Sequence, residues 1–581
     1  MKLFQFFKYL NKINFIFFLL LISVPFFYYA NEKFRAEKKY FSKDRNAPDF
    51  IEKSYSLGTR IFVTQNDLAN AIKQDEDWLH ANGNYSQTRF YPGKEINDGN
   101  VKNLKFKFTL ETDVIGPIQS APLVSKGIIF VSTAFNNIYA FDGLSGKKLW
   151  HFKYHNLKGD NFPYNCCGPN NRGLAIANNQ LFMGTLDGHL ISVNAETGKL
   201  IWNVSLLDRN TNSYGYSATS SPIVVDNKVI IGIGDGEFAV RGFVKAFNVA
   251  DGHLLWKFYT IPSKGQEGVW AEKDVTGHLL GRDIEKEKKL FYSSGFKPSL
   301  NLGGGVWNPP SVDLDSRTLF FVVGNPYPDF DGETRPGDNL YTDSMVAIDL
   351  DSGKYKWHFQ YIPHDIWDLD AASPTILADV IDHQGNKVKT VIHAGKIGNL
   401  FVHRRDNGKL ITLSEPMIYQ RLWSKNKLGS HEKGSPIPDM ESGVNWSPLS
   451  LNPKLNIAYA MNRFKNPDII DKHGFHKFTG KLAAVDINSG KIIWSFKTDI
   501  PLQGGVLSTE GNLIFFGDGD GYIYALHALN GEVLWKYRCD AGANGVPSAY
   551  KVGGKQYIAM GCGGNFMWNF RRGNKFYIFS L

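Results

Sequence analysis

The chain has 581 residues, too many for one ordinary core, so it builds either several domains or one large closed repeat. Lys and Arg outnumber Asp and Glu by 65 to 56, and the first 45 residues hold most of the surplus, with nine basic against three acidic residues. The rest is near neutral and leaves no basic stripe of the kind that binds nucleic acid, while 57 glycines and 14% aromatic residues favour strands and turns.

Residues 1–12 form a basic n-region with Lys2, Lys8 and Lys12, and residues 13–30, "INFIFFLLLISVPFFYYA", are an apolar run. Its length suits a secretory signal or a short transmembrane anchor. Tyr28-Tyr29-Ala30 offers one small residue where a cleavage site needs two, which favours an uncleaved anchor. Either form exports the body: to the periplasm, held at the inner membrane by this segment, or released there after cleavage. Residues 31–76 read as a linker and N-terminal extension.

The next distinctive stretch is "FPYNCCGPNNRG", residues 162–173, where two of the four cysteines are neighbours. Adjacent α-carbons are ~3.8 Å apart, short of the ~4.4–6.8 Å of an ordinary disulfide. Cys166 and Cys167 are therefore either two packed thiols or a small strained ring, and export permits the ring.

One motif then recurs: "AFDGLSGKKLW" ending at Trp150, "SVNAETGKLIW" at Trp202, "AFNVADGHLLW" at Trp256, "AIDLDSGKYKW" at Trp357, "AVDINSGKIIW" at Trp494 and "ALHALNGEVLW" at Trp535. A worn copy runs from Phe401 to Leu413. Each reads as a strand, a tight turn with glycine where φ is positive, and a second strand closed by an indole. The 41 residues between Trp494 and Trp535 are the length of a four-stranded blade. The spacing predicts an all-β propeller of seven or eight blades, residues 77–581. The terminal "NKFYIFSL" alternates like a strand able to pair with "NLKFKFTL" and close the ring. Cys539 and Cys562 are placed to pair between adjacent strands of the last blade, or to stay buried as thiols.

From about residue 77 to the C-terminus the chain resembles the pyrroloquinoline quinone (PQQ) dependent alcohol dehydrogenases, whose fold is an eight-bladed propeller with tryptophan-docking repeats and an axial cofactor. The adjacent cysteines before "NRG" resemble that family's vicinal disulfide, a plate over one face of the quinone. Trp307 in "NLGGGVWNPP" matches the indole below the other face. Glu237 in "IIGIGDGEFAVRG" and Asn325 in "FFVVGNPYPDFDG" match metal ligands, and Asp368 in "IPHDIWDLDAASP" matches the catalytic base, itself a metal ligand. These are hard oxygen donors, suited to Ca²⁺ or a lanthanide ion. Asp370 either caps a loop or adds the extra charge a trivalent ion rewards. Lys396, Arg172, Thr185 and Asn462 match polar cofactor contacts, and Gln119 and Gly236, the latter beside the metal ligand, also fall at cofactor-binding positions. Four positions differ from the family pattern: Gln119 stands for a glutamate, Gly305 for a threonine, Asp235 for a small residue, and Gln503 for the tryptophan of methanol-oxidising members.

The resemblance implies a dehydrogenase that oxidises a primary alcohol to an aldehyde by a metal-polarised quinone, an aspartate base and hydride transfer. Without a C-x-x-C-H haem site in the sequence, electrons pass to a separate acceptor such as a cytochrome c or a membrane quinone. Two other readings stay open. "HDIWDLD" and the anchor also resemble membrane-bound quinoprotein sugar dehydrogenases, which lack the paired cysteines. A non-catalytic envelope scaffold is the third, and it has no reason to gather Glu237, Asn325 and Asp368 with Trp307 and the cysteine pair around one slot.

Overall fold

The computed structural model describes residues 60–155, 166–208, 215–262, 270–273, 275, 280, 282–293, 302–382, 384–420, 440–470, 474 and 476–581. The chain divides into two compact units, Met1–Phe50 and Ile51–Leu581, and every described residue belongs to the second. The basic n-region, the apolar run and residues 31–59 of the extension lie outside the described residues. Residues 60–76 are packed structure: Thr64 caps the helix Gln65–Asn70, and Ile61, Val63 and Leu68 are buried. Among the described residues no helix is long and apolar enough to cross a membrane.

Among the described residues eight sheets built on four antiparallel strands follow one another along the chain, and a small two-stranded sheet pairs Leu302–Gly303 with Pro326–Tyr327. The first comprises Leu123–Ser125, Ile128–Thr133, Asn137–Asp142 and Lys148–Lys153. In every sheet but the fifth, burial falls from the first strand to the last. Ile223–Val225, which opens the third sheet, is buried throughout, whereas Leu254–Tyr259, which ends it, shows most of its side chains to solvent. The seventh sheet gains a fifth strand, Phe90–Tyr91, parallel to Leu507–Thr509. In the eighth, Lys105–Glu111 pairs antiparallel with Lys575–Ser580, Lys105 opposite Ser580 and Glu111 opposite Lys575. The two ends of the repeat region thus share one sheet, as the alternation of "NKFYIFSL" predicts.

The repeated indoles join consecutive sheets. Trp150 Nε1 donates to Ala195 O, Trp202 to Val249 O, Trp256 to Leu350 O, Trp357 to Arg405 O and Trp535 to Leu104 O, each at 3.1 Å, and Trp494 to Ala528 O at 3.0 Å. Each acceptor belongs to the turn of the following copy or, for Leu104, leads into the eighth sheet. The turn glycine has a second duty beyond its positive φ. At Gly353 (φ +67°) an added Cβ would meet the Trp256 ring at 2.7 Å, so only a residue without a side chain lets the indole seat. In the worn copy Leu413 replaces the indole, and Gly490 instead approaches the Leu413 carbonyl.

Antiparallel order puts the start of a sheet's first strand and the end of its second at the same end of the sheet. The repeat turns, between third and fourth strands, lie at the opposite end. The disulfide Cys539–Cys562 spans 23 residues. It corrects the expected pairing within the last blade. Cys539 follows Val533–Arg538 of the seventh sheet and Cys562 ends Lys555–Cys562 of the eighth, because the chain leaves one sheet's outer strand to begin the next.

Candidate active site

The loops at the end remote from the repeat turns gather around one cavity of about 750 Å³, counting its open mouth. Two kinds of loop line it. Segments entering first strands bring Gln119, Arg172, Trp307, Asp368, Asp370 and Gln503, and turns between second and third strands bring Asp235, Glu237, Lys396 and Asn565. No two of these loops are neighbours in the sequence by necessity. The ring brings them together.

Glu237 sits on the short turn Gly236–Phe238, entered through Asp235 in the left-handed region (φ +59°). Its Oε2 is buried with no hydrogen-bond partner, and burial together with the charges of Asp235 and Asp370 pushes its pKa up to about 8. Asp235 accepts from Cys166 N at 3.3 Å and from Ser217 Oγ, and burial pushes its pKa up to about 6. Lys396 Nζ binds Asp368 Oδ1 at 2.8 Å and Asp370 Oδ2 at 2.7 Å. Burial raises the carboxyl of Asp368 well above its usual range, with Lys396 opposing. Burial also works against the charge of Lys396, but Asp368 and Asp370 more than offset it and hold the ammonium protonated. Gly324 makes room for Asp370: an added Cβ would lie 2.5 Å from its Oδ1.

The Arg172 guanidinium lies 5.0 Å from the Trp307 ring centre and 5.6 Å from that of Trp446, and Nη1 donates to Thr219 Oγ1 at 2.7 Å. The guanidinium is thus within cation–π range of both indoles. Cys166 Sγ and Cys167 Sγ lie 2.9 Å apart and line the same cavity.

Not every expected residue faces the cavity. Thr185 is buried behind it, its hydroxyl donating to Asp187 Oδ1 at 2.5 Å. Asn462 is turned towards Ala460 O at 3.0 Å, and its Oδ1 is buried without a partner. Gly236 gives the Glu237 turn its close approach to Gly303 rather than lining the wall. Asn325 stands one layer back, its backbone N–H donating to Asp370 Oδ1 at 2.6 Å. Gly305 stays off the wall, its carbonyl accepting from Gly324 N at 2.8 Å. The sequence reading missed Glu441, Arg463, Trp446, Asn565 and Met567, which line the same cavity.

The residues suit a hard cation. Glu237, Asp235, Asp368 and Asp370 face Lys396 and Arg172, an excess of carboxylates that a cation relieves, and the orphaned Oε2 of Glu237 is an oxygen donor in want of a partner. Among the described residues no three His, Cys, Asp or Glu side chains are drawn together as a closed ligand cluster, and the Lys396 ammonium bridges the two aspartates.

The fold and this cavity define a β-propeller with a buried, acidic, indole-walled site at one end. The family model for the "glucose/ethanol/alcohol dehydrogenase, beta-propeller domain" of the PQQ proteins matches residues 78–417 and 496–558. The chain belongs to that family. It is 31% identical to the quinoprotein alcohol dehydrogenase PedH of Pseudomonas putida, over 81% of this chain and 83% of that one. Among solved structures it is similar to the quinohemoprotein alcohol dehydrogenase ADH-IIG of Pseudomonas putida (26% identity, TM-score 0.77, 90% of this chain and 82% of that one). It is also similar to a europium-containing methanol dehydrogenase (26% identity, TM-score 0.75, 89% and 100%).

Proposed function

We propose that this chain is an exported, PQQ-dependent dehydrogenase built on an eight-bladed propeller, oxidising a primary alcohol to its aldehyde and passing electrons to a separate acceptor. The observation that carries the reading is the convergence of Glu237, Asp368, Asp370 and Lys396 with Trp307 and the cysteine pair on one cavity. A scaffold has no use for that convergence, and the named relatives act on alcohols. Export is supported by the basic n-region and the apolar run after it.

In this reading Glu237, Asp368, Asp370 and the amide oxygen of Asn325 hold a Ca²⁺ or lanthanide ion, while Trp307, Arg172, Gln119 and Cys166–Cys167 hold PQQ. When bound, the quinone supplies the two-electron acceptor and the ion a Lewis acid beside it. The protein's own part is positional and protic. Asp368 accepts the hydroxyl proton of the alcohol. Lys396, already on Asp368 Oδ1, fixes the carboxylate and keeps it ionised once a cation shares the site. Asp235 ties the Glu237 turn to the cysteine loop through Cys166 N.

The test is a titration of the purified protein with PQQ in the presence of Ca²⁺ or of La³⁺, followed by dye-linked oxidation of short primary alcohols. Turnover with either ion, lost in Asp368→Ala, is the expected result. Failure of PQQ to bind with both ions would contradict the proposal.

A further inference from the structure

The part of the cavity wall that the cofactor and metal assignments leave unused includes Glu441, Arg463, Gln503, Asn565 and Met567. Gln503 is 1% exposed, and its Oε1 accepts from Arg463 Nη1 at 2.7 Å. A guanidinium can only donate, so this bond fixes the amide: oxygen towards Arg463, the NH₂ group away from it. That Nε2 is buried with no hydrogen-bond partner. Arg463 is itself held rigidly. Its Nη2 donates to the Glu441 carboxylate, its guanidinium lies 5.3 Å from the Trp568 ring centre, and its backbone pairs both ways with Gly443 at 2.8 and 3.0 Å. Asn544 Nδ2 donates to the Gln503 carbonyl at 3.3 Å, which anchors the other end of the residue. Gln503 thus lines the cavity with a preoriented amide whose donor nothing in the protein satisfies.

We propose that Gln503, oriented by Arg463 and Glu441, is a specificity-determining residue that selects primary alcohols carrying a second, uncharged oxygen. The inference rests on the alcohol-oxidising reading of this cavity. There the reacting hydroxyl belongs to Asp368, so the Gln503 N–H reads another oxygen of the same substrate: an ether, a further hydroxyl or a carbonyl. The occupant is neutral because Glu441 already neutralises Arg463, the cation beside Gln503. A purely alkyl alcohol leaves this buried donor unpaired, whereas one with a second oxygen satisfies it, which is the basis on which a polar site rejects an analogue lacking the polar group.

The full-length protein loaded with PQQ and its ion is assayed with 2-methoxyethanol and 1-butanol, which have the same number of non-hydrogen atoms and differ in one ether oxygen. The expected result is a kcat/KM ratio of about tenfold or more in favour of 2-methoxyethanol. In Gln503→Leu the ratio falls towards unity while the affinity for PQQ, read by fluorescence titration, stays as in the wild type. Gln503→Glu keeps the contact with Arg463 and the packing but removes the donor, so it too loses the preference and separates a lost donor from a lost fold. Equal efficiency of the wild type on both alcohols overturns the inference and leaves the alcohol reading intact. A shift of PQQ affinity in Gln503→Leu with the ratio unchanged also overturns it, because the donor then serves the cofactor. Oxidation of neither alcohol by protein that binds PQQ removes the alcohol reading, and this inference with it.

Discussion

Asp368 and Asp235 both have φ of +59°, a region that residues other than glycine seldom adopt. Such backbone costs on the order of 1 kcal/mol or more, and it persists only where the surroundings impose it. Here Lys396 imposes it on Asp368 by binding both its carboxylate and its carbonyl, at 2.8 and 2.9 Å. Asp368→Asn keeps the shape and removes the proton acceptor. It should lower kcat by roughly 10²–10⁴-fold with PQQ affinity largely kept, and an equal loss of both would show that Asp368 serves binding instead. At this scale the sequence made the acidic cluster, Trp307, Arg172 and Lys396 legible because each sits in a short motif of recognisable residues. Arg463 and Glu441 had no such motif. They matter through a contact across 22 positions of chain, which no local pattern carries. Thr185 and Asn462 show the converse, motif positions whose side chains the fold turns to neighbours behind the wall.

The repeat unit was the most legible element because its signal is local and periodic: alternation, a turn, an indole. Its physical content is larger than the turn. Each indole is a hydrogen-bonded peg in the next unit, and for five of them, Trp150, Trp202, Trp256, Trp357 and Trp494, the turn glycine of that unit is the socket. Trp256 is 8% exposed and donates to Leu350 O. Trp256→Ala removes both packing and bond, and should destabilise by about 3–5 kcal/mol, measured by denaturant unfolding. A loss below about 1 kcal/mol would mean that the units are held together elsewhere. The repeat turns lie at the end of the sheets opposite the cavity, which is why a strong repeat signal said nothing about chemistry. The site is written in the loops of the other end, whose lengths and sequences differ from sheet to sheet.

Across the whole molecule, protons bear on stability through buried groups in several sheets. His393 has both ring nitrogens buried and unpartnered, and burial lowers its pKa from 6.5 to about 3. His403, on the facing strand, falls to about 4 for the same reason. A depressed histidine is neutral in the folded state, so its contribution is complete above about pH 6.5 and is lost as pH falls, since the unfolded chain then binds the proton. Glu237, Asp235 and Asp365 have raised values and act in the opposite sense. The informative reading is therefore a difference. Between pH 7.5 and 5, His393→Phe should lose about 2 kcal/mol less stability than the wild type. Parallel pH curves for the two proteins would show that His393 is not the buried neutral group described here. Ring closure belongs to this scale as well. It was legible in the alternation of the two terminal segments, whereas the Cys539–Cys562 link was read as joining strands of one sheet and in fact joins two.

The most direct test of the central claim is a single-turnover experiment. Protein loaded with PQQ and its preferred ion is mixed anaerobically with ethanol, with no electron acceptor present, and the quinone absorbance is followed while aldehyde is quantified. The account predicts reduction of the bound quinone with a stoichiometric amount of acetaldehyde, slowed roughly 10²-fold or more in Asp368→Asn. Bound quinone that stays oxidised in excess alcohol, with no aldehyde formed, would contradict it.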